Sequence, residues 1–366
     1  MPAIQSEEIA IALDMHGCPN RCRHCWLGYP AGRGMTEQDL RWAARQFRGY
    51  IQRREEKPPI SKLGVMSWFR EPDFSDDYRQ LYELEAELGD VKPYRFELLS
   101  IWRLARDEEY AKWAKEVGTD TCQITFFGMK EINDWFYRRK GAFRDNLIAT
   151  ERLLDVGIKP RWQIFLTKKI VPEIGELLKL IDQLRLRDRV RSLGGDFDFF
   201  IHTPGPEGEA LDIEYLRPTL EDTRLIPSEI VDSSKKHFNT EDLWYTEGEL
   251  ISGVIAEKDD FPYAYSYPET LCFYIKNDWD VFSNMGALEL WWRLGNLKTD
   301  SLQSIFDNFE GNKVVGLETI FTVSAKELAK RFGKPKSRLV FTSKNDLLAL
   351  FIVRYCGQVY INDKSC

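Results

Sequence analysis

Up to about residue 210, short apolar runs alternate with longer stretches in which apolar residues recur every three or four positions. A short apolar run is typical of a buried strand, and the longer spacing is typical of an amphipathic helix. Six β-α repeats with short connections indicate an α/β fold with a parallel sheet, curved into a partial (β/α)6, TIM-like barrel if the strands tilt. The predicted strands are Ile9–Leu13, Lys62–Ser67, Phe96–Leu99, Thr121–Phe127, Trp162–Thr167 and Asp196–His202.

This alternation stops after Thr203. The segment 211–262 is acidic and has no clean period, so we interpret it as a bridge between two domains. Beyond it, residues 271–284 alternate like a hairpin around Asn277–Asp278, and helical patterns follow. The predicted parts are a barrel at 1–210, a bridging segment at 211–262 and a C-terminal α+β cap at 263–366.

The composition excludes several classes of protein. The 366 residues carry a net charge of −7, and acidic and basic side chains are mixed along the chain. No basic face is evident, so we expect no nucleic-acid partner. No apolar stretch approaches the roughly 18 residues of a membrane span, and the N-terminus has no export signal. We therefore expect a cytoplasmic protein without a membrane partner.

Three of the seven cysteines fall in the loop after the first predicted strand. Clustered thiols in a chain without an export signal indicate metal or redox chemistry rather than disulfides. Cys18, Cys22 and Cys25 are spaced so that three thiolates can hold three corners of an iron–sulfur cube, leaving the fourth iron open to a small molecule. The alternative is a structural zinc site, which needs a fourth ligand such as His16 or His24.

The spacing C-x3-C-x2-C after a first strand resembles that of the radical S-adenosylmethionine (SAM) superfamily. The resemblance implies one 4Fe–4S cluster held by Cys18, Cys22 and Cys25, with SAM bound to its open iron. It also implies reductive cleavage of SAM to a 5′-deoxyadenosyl radical, which abstracts hydrogen from a substrate. An electron donor such as flavodoxin or ferredoxin would supply the electron.

Other segments resemble the SAM-binding parts of that family. Residues 69–72 match the last two positions of its G-G-E-P turn, but Phe69 and Arg70 replace both glycines. Alternation along the fourth strand places Gln123 and Thr125 on one face, which we expect to look into the barrel. The residues expected to bind the cofactor are His24, Glu71, Ser100, Gln123, Thr125, Arg138 and Gln163.

Segments 275–284 and 293–297 resemble the SPASM/twitch extension, which binds auxiliary clusters. Asn284 stands where that pattern has a ligand cysteine. The resemblance therefore implies a degenerate SPASM-like extension that has lost its auxiliary clusters, so that the chain holds one cluster only.

Three further residues are candidates for catalysis. Cys272 and Cys356 are candidate hydrogen donors to a substrate radical, although a free cysteine can equally be a small buried apolar residue. His202, at the end of the sixth strand, is a candidate proton acceptor or substrate anchor, and its alternative is a hydrogen-bonded barrel histidine.

The first predicted strand begins at Ile9, which leaves no room for the leader-peptide-binding domain that many peptide-modifying relatives carry there. We therefore expect a small-molecule substrate, such as a sugar, nucleoside or natural-product intermediate, and epimerisation, dehydrogenation or rearrangement as the outcome. One alternative is modification of a ribosomal peptide or protein side chain. Another is a non-catalytic iron–sulfur or zinc protein used for binding or sensing.

Overall fold

The computed structural model describes residues 6–28, 34–53, 60–93, 95, 97–264 and 267–363. Its strands are β1 (Glu8–Leu13), β2 (Lys62–Met66), β3 (Thr121–Phe126), β4 (Lys159–Phe165), β5 (Phe199–His202), β6 (Tyr245–Thr246), β7 (Leu271–Ile275), β8 (Asp280–Ser283), β9 (Gly295–Asn296) and β10 (Val340–Phe341). Its helices are α1 (Glu37–Arg53), α2 (Tyr78–Leu88), α3 (Ile101–Leu104), α4 (Glu108–Glu116), α5 (Lys130–Tyr137), α6 (Ala142–Asp155), α7 (Ile174–Gln183), α8 (Leu186–Ser192), α9 (Leu220–Thr223), α10 (Ser228–Phe238), α11 (Glu247–Ala256), α12 (Leu302–Glu310), α13 (Val315–Thr322), α14 (Ala325–Phe332) and α15 (Lys344–Asp363).

The barrel part of the chain contains two parallel sheets, in which β1 pairs with β2 and β4 lies between β3 and β5. The third predicted strand is wrong over residues 97–99, which are irregular, and Phe96 lies outside the described residues. Ser100 caps α3 immediately after this apolar run. The run is therefore too short to form the row of backbone hydrogen bonds that a strand needs. One bond, from Gln123 N to the Glu97 carbonyl at 2.8 Å, still joins the segment to β3. The predicted α/β class is confirmed, and the parallel strands are compatible with the predicted partial barrel.

The C-terminal part of the chain joins the sheet of the first strand. β7 lies parallel to β1, with Ala10 opposite Cys272, and β8 and β9 continue the sheet in antiparallel pairing. The predicted hairpin around Asn277–Asp278 is the turn between β7 and β8. β1 is therefore an interior strand, which accounts for five consecutive buried residues after Glu8.

A single apolar core connects the two ends of the chain. It contains Ile9 and Phe47 from the N-terminal elements and Phe273, Phe306 and Phe351 from the C-terminal ones. A second core packs β3, β4 and β5 against the helices of the barrel part. None of the described helices is both long enough and apolar enough to cross a membrane.

The segment 211–262, predicted as a bridge, folds into α9, α10, β6 and α11. α10 packs against the barrel, because Ser233 Oγ donates to the Phe199 carbonyl at 2.6 Å and Ile201 N donates to Ser234 Oγ at 2.9 Å. The division of the chain at 210 and 262 stays a prediction.

Candidate active site

The loop between β1 and α1 carries the three clustered cysteines, and α5 holds its backbone. Arg21 N donates to the Tyr137 carbonyl at 3.3 Å, and Arg23 N donates to the Phe136 carbonyl at 2.9 Å. The Arg23 guanidinium also lies over the Trp135 ring, 4.0 Å from its centroid. These contacts fix the middle of the loop against the last turn of a helix that the apolar pattern does not predict.

The chain after β5 closes against the same loop. Gly208 has a φ of +58°, and a Cβ atom there would lie 2.7 Å from the Cys25 carbonyl oxygen. Glu209 N donates to that oxygen at 3.0 Å. Glycine is needed at this position because the backbone is left-handed and approaches the cysteine loop closely.

All three cysteines are free, and they line one cavity of about 360 Å³. Burial raises the pKa of Cys18 and Cys22 well above the ordinary value, and the charges of Glu71 and of neighbouring thiols raise both further. Burial also raises the pKa of Cys25. The thiols are therefore protonated in the protein alone, and only a bound cationic group would favour their ionised form.

This donor set fits a cluster better than a single metal ion. In the ranges that the structure describes, no three His, Cys, Asp or Glu side chains are arranged to hold one ion. His16, a possible fourth zinc ligand, lies 4.0 Å from Asp77 and lines a different cavity. An iron–sulfur cube takes each thiolate at a separate iron, so its protein ligands need not converge on one point. Three free thiols around one cavity suit that arrangement.

Glu71 is half-buried beside Cys18 and lines the cavity. Its Oε1 accepts a hydrogen bond from Ser100 Oγ at 2.8 Å, and its Oε2 accepts one from Cys18 Sγ at 3.7 Å. Burial raises the pKa of Glu71 to about 7. Ser100 is fully buried, caps α3 and does not line the cavity. Ser100 therefore positions Glu71 in this structure, and its predicted contact with the cofactor stays a prediction.

Polar side chains of β3 and β4 form another wall of the cavity. Gln123 and Thr125 are half-buried while their strand neighbours are buried, as the alternation predicts. Gln163 Oε1 accepts hydrogen bonds from Gln123 Nε2 at 2.7 Å and from Thr125 Oγ1 at 3.1 Å. Arg161 donates to Gln123 Oε1 at 2.7 Å. Because arginine can only donate, this bond fixes the orientation of the Gln123 amide.

Arg139, the neighbour of the predicted Arg138, contacts the cysteine loop, and sequence reasoning does not single it out. Arg138 pairs with Glu209 at 3.0 Å and does not line the cavity, and its predicted contact with the cofactor stays a prediction. Arg139 Nε donates to Asn20 Oδ1 at 2.6 Å, and its charge lowers the pKa of Cys22. Arg138 has a left-handed backbone at the end of α5.

His24 lies in the cavity wall against two phenylalanine rings. The ring centroids are 4.6 Å from Phe127 and 4.5 Å from Phe165. Burial, followed by the charge of His202, lowers the pKa of His24 to about 3. The ring is therefore neutral at physiological pH and offers an aromatic face to a ligand.

His202 packs against Phe165, one of the two phenylalanines beside His24, with 5.5 Å between the ring centroids. His202 does not line the cysteine cavity. It lines a second cavity of about 580 Å³ with Phe238, Trp244 and Tyr245. Burial lowers the pKa of His202. Any contact of His202 with a substrate would therefore be made in this second cavity.

Cys272 and Cys356 lie in apolar cores rather than in either cavity. Cys272 is 7% exposed on β7, among Ala10, Leu27 and Phe69. Cys356 is 0% exposed, and its Sγ donates to Thr319 Oγ1 at 3.5 Å. Burial raises the pKa of Cys272 to about 12 and that of Cys356 to about 11. Cys272 shares its apolar cluster with Leu27 and Cys25 of the cavity wall, and the predicted role of both cysteines as hydrogen donors stays a prediction.

Comparison with known proteins bears on the fold. No protein-family model matches the sequence, and no curated protein matches it. A structure of anSMEcpe with bound AdoMet and Cp18Cys peptide is similar, with a TM-score of 0.52 and 14% identity over 96% of this chain and 99% of that one. Native anSMEcpe with bound AdoMet also gives 0.52 and 14%, over 97% and 98% of the two chains.

Streptococcus suis SuiB bound to its precursor peptide SuiA gives a TM-score of only 0.43, with 14% identity over 83% of this chain and 65% of that one. At such low identities the similarity to anSMEcpe concerns the fold alone. The chain therefore has the mixed α/β fold seen in the anSMEcpe structures.

Proposed function

We propose that this chain is a radical SAM enzyme that modifies a side chain of a peptide or protein. The observation that carries the proposal is the convergence of three free thiols on one cavity whose wall also holds Gln123, Thr125 and Gln163. A bound 4Fe–4S cluster and SAM would supply the radical chemistry, which belongs to the cofactor rather than to the protein. The protein's part is to bind and orient these groups.

The residues of the cavity suit that task. Cys18, Cys22 and Cys25 would hold the cluster as thiolates. Both acceptor positions of Gln163 Oε1 are used by Gln123 and Thr125, so Gln163 presents its Nε2 as a donor to a ligand oxygen. The neutral ring of His24 provides a flat surface for an adenine. Glu71 offers a carboxyl group that Ser100 holds in place.

A peptide or protein is the better supported substrate class. The similar anSMEcpe structure holds a peptide together with AdoMet, whereas nothing in the comparisons supports the small molecule expected from the sequence. The mouth of the cysteine cavity carries two exposed apolar side chains, Trp26 at 38% and Leu98 at 53% exposure. An extended chain can pack against such a rim while one of its side chains enters the cavity.

The second cavity extends this proposal to His202. Its aromatic walls, Phe238, Trp244 and Tyr245, suit an apolar side chain of the same substrate. His202 would then contact the substrate away from the cluster. Replacing Trp244 by alanine should raise KM for the substrate with little effect on the cleavage of SAM in its absence.

Anaerobic reconstitution tests the enzyme proposal. We expect about four irons per chain, as one 4Fe–4S cluster requires, and formation of 5′-deoxyadenosine after addition of SAM and dithionite. Cys22→Ala should abolish both. Cys122→Ala is the matched control, because Cys122 is buried on the face of β3 that points away from the cavity. Bound iron without any 5′-deoxyadenosine would instead favour a binding or sensing protein.

The substrate class has a separate test. The reconstituted enzyme is incubated with a peptide pool prepared from cell protein or with the protein-free, low-mass fraction of the same cells. We expect only the peptide pool to increase the formation of 5′-deoxyadenosine and to contain a species of altered mass. Stimulation by the low-mass fraction alone would restore the small-molecule expectation.

A further inference from the structure

We propose that Arg70 is a positioning residue that sets the shape of the cysteine loop and thereby the binding of the cluster, an inference that rests on the function proposed above. Arg70 occupies one of the two positions where the resembled G-G-E-P turn has glycine. Its side chain is only 3% exposed. A residue that replaces a glycine with a long, charged and buried side chain needs a structural reason.

The contacts of Arg70 supply that reason, because they join the two ends of the cysteine loop. Its Nη1 pairs with Asp14, which directly follows β1 and has a side chain that is 2% exposed. Its Nη2 donates to the carbonyl of Leu27, two residues beyond Cys25, at 2.9 Å. One guanidinium therefore holds the start and the end of the segment that contains all three cysteines.

The same residue connects the loop to its surroundings. The guanidinium lies 5.0 Å from the ring centroid of Phe69, and that ring packs against Tyr274 of β7 at 5.2 Å. The next residue, Glu71, accepts a hydrogen bond from Cys18 Sγ. The turn after β2 thus contacts the loop at its start, at its first cysteine and at its end.

Only arginine suits this arrangement. Its planar fork donates in two fixed directions, whereas a lysine ammonium is a single charged point on a flexible chain. A buried charge also needs its partner, so the Asp14 carboxylate and the Arg70 guanidinium depend on each other. Arg70→Lys keeps a positive charge beside Asp14 but removes the hydrogen bond to the Leu27 carbonyl. We expect this change to loosen the end of the loop beyond Cys25.

The test compares Arg70→Lys with a matched variant elsewhere. Like Arg70, Arg48 contacts one carboxylate and one backbone carbonyl, but on the outside of α1. Its partners are the Asp90 carboxylate at 3.0 Å and the Leu88 carbonyl at 2.7 Å. Each reconstituted protein is exposed to an iron chelator under anaerobic conditions, and the loss of iron is followed in time. Electron paramagnetic resonance (EPR) spectra of the reduced cluster are recorded with and without SAM, and the Tm is measured in parallel.

We expect Arg70→Lys to lose iron about tenfold faster than the wild type and to show an altered EPR response to SAM, since residues that orient metal ligands have effects of this size on retention. Arg48→Lys should lose iron at the wild-type rate and show the wild-type EPR response to SAM. This difference between the two variants should persist even if their Tm values are similar. Asp14→Asn removes the charge pair at the start of the loop but leaves the Leu27 contact at its end. It should also lose iron faster than the wild type, and it replaces Arg70→Lys if that variant does not fold.

Wild-type iron retention and an unchanged EPR response in both Arg70→Lys and Asp14→Asn would overturn this inference and leave the proposed enzyme intact. A wild-type protein that takes up no cluster would overturn the proposed function and this inference together.

Discussion

Glu207 is a half-buried carboxyl group close to Glu289. Burial, followed by the charge of Glu289, raises its pKa from the ordinary 4.5 to about 7. The folded state therefore binds more protons than the unfolded state between these pH values. It follows that this group stabilises the fold at low pH, and that the contribution is lost as the pH rises through the folded value. The loss should be on the order of 2 kcal/mol.

Replacing Glu207 by glutamine should remove most of the pH dependence that this carboxyl group gives to the free energy of unfolding. Urea unfolding of the cluster-free protein at several pH values between 5 and 7.5 would measure it, with a flatter profile expected for Glu207→Gln than for the wild type. The exposed Glu83→Gln variant shows how much of any change comes from removing one surface charge. Parallel profiles for the wild type and Glu207→Gln would contradict the prediction.

The proposed contribution of Gln163 to SAM binding can be tested directly. It holds Gln123 and Thr125 together at the cavity wall and keeps one donor group for a ligand. Gln163→Ala should weaken SAM binding about tenfold, the equivalent of ~1.4 kcal/mol, because it removes that donor and releases its two partners. Anaerobic titration calorimetry on the reconstituted protein measures the Kd.

Thr121→Ala is the matched control, since Thr121 lies on the same face of β3 but outside the cavity wall. The prediction for Gln163 is wrong if both variants bind SAM with the wild-type Kd.

Which single residues can be predicted depends on how local the determining contact is. The inward direction of Gln123 and Thr125 follows from strand alternation, and the structure agrees. The burial of Ser100, by contrast, depends on its capping of α3 and on its contact with Glu71. The contacts of Arg138 with Glu209 and of Arg139 with Asn20 join segments that are far apart in the sequence. No pattern in the sequence reports such tertiary contacts.

At the scale of elements, apolar periodicity predicts the long helices and most strands but not which strands pair. The run at 96–99 has strand composition, yet its described part meets β3 through a single backbone bond before α3 begins. The sequence pattern predicts β7 as one half of a hairpin, and the structure agrees. The parallel pairing of β7 with β1 cannot be predicted from the local sequence. Pairing between distant segments is decided by the shared core, so sequence patterns alone leave it open.

Asn284 gives the β7–β8 hairpin a testable feature. Its Oδ1 accepts a hydrogen bond from Cys272 N at 3.2 Å, and its Nδ2 donates to the Thr270 carbonyl at 2.9 Å. The SPASM/twitch pattern has a ligand cysteine at this position. In this chain the Asn284 amide instead joins the two strands at the end of the hairpin away from the turn. Asn284→Ala should lower the free energy of unfolding by about 1–2 kcal/mol through the loss of these two bonds.

Urea unfolding measures that effect, and the exposed Gln303→Ala variant is the control for a surface amide. The companion variant Asn284→Cys should bind no more iron than the wild type, because a single new thiol does not make an auxiliary site. Additional iron in that variant would argue that the cluster-binding capacity of the extension persists.

At the scale of the whole molecule, the two ends of the chain form one structure. β1 is paired on one edge with β2 and on the other with β7, and the largest apolar core draws on both ends. The cysteine loop starts at the end of β1. The geometry of the candidate active site therefore depends on the C-terminal part of the chain as well as on the barrel.

A chain that ends at residue 262 tests this dependence. It loses β7 and the aromatic side chains around Phe273, Phe306 and Phe351, which leaves an unpaired edge on β1 and exposes one face of the core. We expect this shortened chain to lack cooperative thermal unfolding and to retain no cluster after reconstitution. Producing residues 263–366 in the same cells as a separate chain should restore both properties, because the parallel pairing of β7 with β1 needs no covalent connection at 262. A shortened chain that unfolds cooperatively at the Tm of the full protein would instead show that residues 1–262 form an independent unit, in which case the shared core contributes little to stability.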